Sequence, residues 1–137
     1  IDILSHGRAC AILNPYYTVF FAPAIEAPLK LVASLCVERG LAGADVLALT
    51  GRGLGLAVAR TLMSFERSVG LPPALGEVPG FTDAHLERAL SAAKNPQLRM
   101  KLENMPVPMT AEMVDDYMGP ILRAAQTGVL EGIRNVA

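Results

Sequence analysis

The chain has 137 residues, of which twelve are basic and thirteen acidic, so the net charge is -1. This balance gives no electrostatic basis for binding nucleic acid. Apolar residues make up 52% of the sequence and the mean hydropathy is +0.37. Proline, glycine and charged residues nevertheless interrupt every apolar run before it reaches the length of a membrane span. We therefore expect a protein that binds neither nucleic acid nor a membrane.

The length and the apolar content indicate one domain with its own core. Because the chain begins at Ile1 rather than Met, we expect residues 1–137 to be a single helical domain of a longer protein. Surplus apolar surface would then face a missing domain or a second subunit, and we expect a homo-oligomer. Cys10 and Cys36 lie in apolar helical stretches. They are expected to be buried free thiols in a reducing compartment, the cytoplasm.

Apolar residues recur at helical spacing along the chain, and no segment alternates cleanly as a strand does. The pattern predicts an all-α fold with no sheet. The first helix should be kinked by Pro15 and end before Pro23, and the second fits Ile25–Arg39 with Gly40 as its C-terminal cap. Further helix starts are predicted at Thr82, Asn95 and Thr110, a bend at Gly119-Pro120, a helix end at Gly128, and a short helix or frayed tail over 129–136.

The segment Gly51–Gly55 follows an apolar stretch and precedes a helix, as a dinucleotide-binding loop does. A dinucleotide fingerprint also needs a glycine three residues after its second one, where Leu56 stands. No acidic residue about 20 positions further on can hold a ribose. We therefore interpret the segment as a helix start and not as a cofactor site. The helix is expected to bury one stripe of apolar residues, namely Leu54, Val58, Leu62, Phe65 and Val69.

His6 and Gly7 stand immediately before the first predicted helix. The backbone N–H groups and the dipole at a helix start disfavour a charged imidazolium. A neutral imidazole is the form that ligates a metal. The same pattern is also typical of a histidine that only caps or packs. His85, in the first turn of a later helix, is interpreted as a capping or surface residue.

A wider motif surrounds His6. The residues Ser5-His6-Gly7, a turn of small residues and then Ile12-Leu13-Asn14-Pro15 resemble the motif of the iron-containing (group III) alcohol dehydrogenases. In that family the pattern reads His-Gly, Asn-Ala and Ile-Leu-Leu-Pro, and its histidine is the last metal ligand. Gly70-Leu71-Pro72 is similar to the family at the matching place, and the loop at 104–110 resembles its Asn-Pro-Arg-Pro segment without the arginine.

The sequence departs from the family motif at two positions, where Cys10 replaces a frequent Asn and Asn14 a frequent Leu. Neither position holds the metal in the family, so the departures concern the substrate pocket. The resemblance covers nearly the whole chain. It implies the helical C-terminal domain of a dehydroquinate-synthase-like, iron-type alcohol dehydrogenase.

The resemblance implies that His6 ligates a catalytic Fe²⁺, with Zn²⁺ as the alternative, together with one Asp and two His that would precede residue 1. NAD(P) would be bound mainly by the missing N-terminal domain. Cys10 and Met105 would line the pocket for a small primary alcohol or its aldehyde. The metal would act as a Lewis acid on the alcohol oxygen during hydride transfer. The chain alone, with one of the ligands and no cofactor loop, is expected to be inactive.

A second hypothesis is a helical interaction or scaffold domain without chemistry, in which His6 is a cap. Every helix signal is compatible with both hypotheses. The sequence upstream of Ile1 separates them, because a His-x-x-x-His segment and a glycine-rich cofactor loop there would favour the dehydrogenase.

Overall fold

The computed structural model describes residues 3–137, and all regular structure within them is helical, with no strand. The predicted all-α class is therefore confirmed. No helix in this part of the chain is both long and apolar enough to cross a membrane. The α-helices are α1 (His6–Phe21), α2 (Glu26–Glu38), α3 (Gly51–Ser68), α4 (Asp83–Ala93), α5 (Arg99–Glu103) and α6 (Gly119–Thr127).

Local signals set most helix ends where the sequence predicts them. Gly40 follows α2 with φ +70° and Gly128 follows α6 with φ +81°, a conformation that glycine adopts without steric cost. The side chain of Asn95 accepts a hydrogen bond from the amide of Gln97 at 3.0 Å. The apolar stretch before α3, which could pass for a strand, forms a 3₁₀ turn over Ala44–Ala48 instead.

The main core lies where α1 packs against α3, α6 and the C-terminal tail. α1 contributes its largest buried side chains, Ile12, Tyr16 and Phe20. The crossing of α1 and α3 depends on Gly55, because a Cβ atom there would lie 2.4 Å from Ala22 Cβ. The remaining buried members of the main core are Val19, Ala59, Leu75, Val78, Leu102, Met109, Val114, Ile121, Ala124, Ala125, Leu130 and Ile133.

A smaller apolar cluster joins α2 to α3, with Leu29 and Ala33 of α2 packed among Leu54 and Val58 of α3. These contacts confirm the first half of the predicted stripe on α3. Its second half is wrong, because Phe65 is 46% exposed and Val69 is 62% exposed. The helix presents a different face to the core at this end.

The last helical region contains a widened turn shortly before Pro120. Residues Val114–Met118 form a π-helical turn in which the amide of Gly119 donates to Val114 O, and α6 follows. Pro120 has no N–H, so Asp116 O receives no helical i+4 hydrogen bond. The guanidinium of Arg134 donates to that oxygen at 2.5 Å.

The C-terminal tail is helical only at its start, so the predicted short helix is confirmed in part. One 3₁₀ turn over Leu130–Gly132 is followed by extended backbone. The side chain of Asn135 donates to Val19 O and Phe20 O, each at 2.8 Å. Val19 O lacks an i+4 donor because residue 23 is proline. Arg134 and Asn135 of the tail therefore donate hydrogen bonds to carbonyl groups that lack a helical partner because of a proline four residues later.

Candidate metal site at the start of the first helix

His6 is the first residue of α1 and its side chain is exposed to solvent. Ser5 before it has extended backbone, with φ -66° and ψ 155°, and makes no side-chain cap. The first turn of α1 contains no acidic residue. The imidazole therefore stands at the positive end of the helix dipole.

Cys10 was expected to be buried, and the structure corrects this expectation. Its thiol is exposed, whereas Cys36 is buried. One helical turn separates Cys10 from His6, so both side chains lie on the same face of α1. Cys10 Sγ and His6 Nε2 are 3.6 Å apart. The helix thus brings together two atoms of the kinds that bind transition metals.

Among residues 3–137, no group of three or more His, Cys, Asp or Glu side chains is placed to hold a metal ion. His6 and Cys10 form a pair of potential donors. A catalytic metal site commonly uses three protein ligands and one open position. The pair supplies two of the donor types that such a site uses.

Met105 lies in the loop between α5 and the last helical region. Its side chain is half-buried and packs against the main core, and its amide donates to Leu102 O at 3.3 Å. The larger described cleft, of about 340 Å³, lies between the ends of α4 and α5 and Thr110. None of the three predicted site residues lines that cleft, so a shared substrate pocket stays a prediction.

The structure confirms that His85 caps a helix. Its Nδ1 atom accepts a hydrogen bond from the amide of Thr82 at 3.1 Å, and its ring stacks on Phe81 with 5.5 Å between centroids. The hydrogen bond is one half of the capping box that Thr82 and His85 form at the start of α4. The two histidines therefore differ in surroundings, since His85 is engaged by its own helix.

The glycine-rich segment at 51–55 is a helix start, as interpreted from the sequence. The amide of Gly51 donates to the carboxylate of Glu26 at 2.7 Å. A dinucleotide loop would direct such amides at a pyrophosphate. Here a protein carboxylate from α2 takes that position and stabilises the amino end of α3.

A buried carboxyl group on α3 was not anticipated. Glu66 is only 7% exposed, and its Oε2 atom has no hydrogen-bond partner among the described residues. Leu54, Val58 and Leu62 are spaced four residues apart, and the next position in this series is 66. This helical spacing is the sequence signal that could have indicated burial of Glu66. Burial raises the pKa of Glu66 to about 7.

The same region holds Tyr16, whose hydroxyl donates to Pro73 O at 2.5 Å. Burial raises the pKa of Tyr16 to about 12, with the carboxyls of Glu66 and Glu77 as smaller causes. The phenol therefore stays neutral at physiological pH and acts here as a hydrogen-bond donor. This hydrogen bond joins α1 to the loop after α3 and helps to hold α1 in place.

The Glu66→Gln variant is expected to be more stable than the wild type at pH 8, by about 1–3 kcal/mol. The folded-state pKa of about 7 lies above the ordinary glutamate pKa of 4.5. The folded state therefore binds the proton more tightly, and the contribution of Glu66 to stability falls as pH rises from about 4.5 to 7. The gain should shrink towards pH 5, as measured by urea unfolding at both pH values. The exposed Glu87→Gln is the control, and an equal gain at both pH values would contradict the prediction.

Comparisons with family models, with curated proteins and with solved structures find no match to this chain. Function is therefore inferred from the residues around His6 and from the motif that they form.

Proposed function

We propose that this chain is the helical C-terminal domain of an NAD(P)-dependent, iron-type alcohol dehydrogenase of the dehydroquinate-synthase-like group. In this proposal His6 ligates the catalytic divalent metal. The observation that carries it is the position of His6, an exposed imidazole at the first residue of a helix that contains the motif through Pro15. The imidazole is accessible from outside this domain, as a ligand shared between two domains must be.

The surroundings of His6 suit a metal ligand. The side chain of His6 is exposed to solvent, and a neutral imidazole has a lone pair that can bind a metal. α1 is held by Ile12 and Tyr16 in the main core, so the base of the side chain is fixed by packing. Fe²⁺ or Zn²⁺ would supply Lewis-acid activation of a small primary alcohol when bound. The remaining ligands, one Asp and two His, are proposed to come from residues that precede Ile1.

The nicotinamide cofactor is proposed to bind mainly to an N-terminal domain. In this chain the amide of Gly51, which a phosphate-binding loop would expose, is already bonded to Glu26. We place the enzyme in the cytoplasm, where the exposed thiol of Cys10 stays reduced.

The partners proposed for this domain are the N-terminal domain and a second copy of the chain. Leu31 and Leu35 of α2 are 65% and 49% exposed, and they follow each other by one helical turn. Such a pair on one helix face suits a subunit contact. The alternative function, a non-catalytic helical scaffold, draws its support from the same leucines. It differs in requiring no metal at His6.

The test of the proposed function is an assay of the protein that includes the residues upstream of Ile1, called here the extended protein. It should contain Fe²⁺ or Zn²⁺ and reduce NAD(P)⁺ when a small primary alcohol is added. Removal of the metal by a chelator should abolish turnover, and reloading should restore it. Residues 1–137 alone serve as the control and should show none. An extended protein that binds no metal and oxidises no alcohol would support the scaffold.

A further inference from the structure

We propose that Cys10 Sγ and His6 Nε2 together form a two-donor site for a borderline-soft divalent cation such as Zn²⁺. The resemblance assigns no metal role to the cysteine position, so this inference adds a ligand to the metal of the proposed function and rests on it for the other ligands. It is drawn from the geometry, charge and chemistry of the two exposed side chains.

The separation of the two atoms is that of ligands around one metal. A tetrahedral zinc ion has bonds of about 2.3 Å to sulfur and about 2.0–2.1 Å to imidazole nitrogen. With a tetrahedral angle between them, the sulfur and nitrogen atoms lie about 3.5–3.6 Å apart. Cys10 Sγ and His6 Nε2 are 3.6 Å apart. The separation of the two atoms therefore matches that of two ligands of one cation.

A coordinated thiolate would also offset the unfavourable charge at the helix start. The positive end of the helix dipole opposes a bound cation, and the first turn of α1 has no acidic residue to offset it. Metal binding deprotonates a coordinating thiol. The resulting thiolate brings a negative charge to the cation from within this chain.

The donor set decides which metal the pair prefers. Thiolate and imidazole suit Zn²⁺, and nitrogen and sulfur sites bind Zn²⁺ more tightly than Fe²⁺ in general. Replacement of the family's frequent Asn by Cys10 should therefore shift the site from iron towards zinc. This is a specific consequence of position 10 and does not follow from His6 alone.

The test is a titration of residues 1–137 with Co²⁺, a coloured substitute for zinc, at pH 7.5 without oxygen and with a phosphine reductant. A thiolate bound to Co²⁺ gives a near-ultraviolet charge-transfer band. We expect a saturable band that Zn²⁺ abolishes by displacing Co²⁺. The Cys10→Ser variant should lose the band, and His6→Ala should bind Co²⁺ about tenfold more weakly or worse. Cys36→Ser, which removes the buried thiol, is the matched control and should keep the band.

Absence of the band in the wild type, or its persistence in Cys10→Ser, would overturn the inference. Circular dichroism of each variant checks that α1 remains folded. Failure of the pair and failure of the proposed function are separable. A band that depends on Cys10, with no alcohol oxidation by the extended protein, refutes the dehydrogenase and retains the pair. An active extended protein whose metal content depends on His6, together with no thiolate band, retains the dehydrogenase and refutes the pair.

Discussion

Replacing Gly55 with alanine is expected to lower the free energy of unfolding by about 1–3 kcal/mol. The added Cβ atom would lie 2.4 Å from Ala22 Cβ and 3.3 Å from Thr18 O. Both neighbours belong to the segment that α3 crosses, and a methyl group and a backbone oxygen cannot rotate aside. α1 and α3 would have to separate, which would disturb the packing of the main core.

Gly53 gives the matched control on the same helix. It is exposed, and no atom outside its own helix lies within 4 Å of a Cβ built there. Gly53→Ala should therefore stabilise the chain by up to about 1 kcal/mol, because alanine has the higher helix propensity. Urea unfolding of both variants measures the two effects, and their opposite signs are the prediction. A stabilised Gly55→Ala would show that the helices do not approach as closely as the structure has them.

The sequence predicts the elements of the fold well because their signals are local. The φ +70° at Gly40 and φ +81° at Gly128 end helices where glycine was expected to end them. The capping box of Thr82 and His85 likewise needs only neighbours in the chain. The all-α class follows from the same local periodicity.

What the sequence does not predict depends on contacts between distant residues. Phe65 belongs to the predicted apolar stripe but is exposed, because α1 meets α3 on a face that the predicted stripe does not define. The tail is ordered by Asn135 bonding to Val19 O, across 116 positions. In the candidate site, the helical spacing of His6 and Cys10 was visible from the sequence, but the exposure of Cys10 was not.

The second large effect concerns His6. In the extended protein, His6→Ala is expected to lower alcohol turnover by more than the 10- to 100-fold that is typical of residues supporting a metal ligand, that is, by about 100-fold or more. The fold should be nearly unaffected, because the side chain is exposed and its one described polar contact is with Cys10. Unfolding by urea measures stability independently of the steady-state assay.

His85→Ala is the matched control, since both histidines stand in the first turn of an α-helix. Loss of the hydrogen bond from the Thr82 amide to His85 Nδ1 should cost about 1 kcal/mol or less. Metal content and turnover should stay near those of the wild type. The two variants thus distinguish a metal ligand from a helix cap. His6→Ala should lower the metal content and leave stability nearly unchanged, whereas His85→Ala should lower stability slightly and leave the metal content unchanged.

The metal content of purified His6→Ala extended protein shows directly whether His6 ligates a metal. Elemental analysis of the wild type, His6→Ala and His85→Ala, prepared in parallel, gives the number of Fe²⁺ or Zn²⁺ ions per chain. We predict a metal-loaded wild type and His85→Ala, and a His6→Ala variant that is folded but largely metal-free. A folded His6→Ala variant that retains the wild-type metal content and turnover would contradict the proposal and leave His6 as an exposed residue of the first turn of α1 without a metal role.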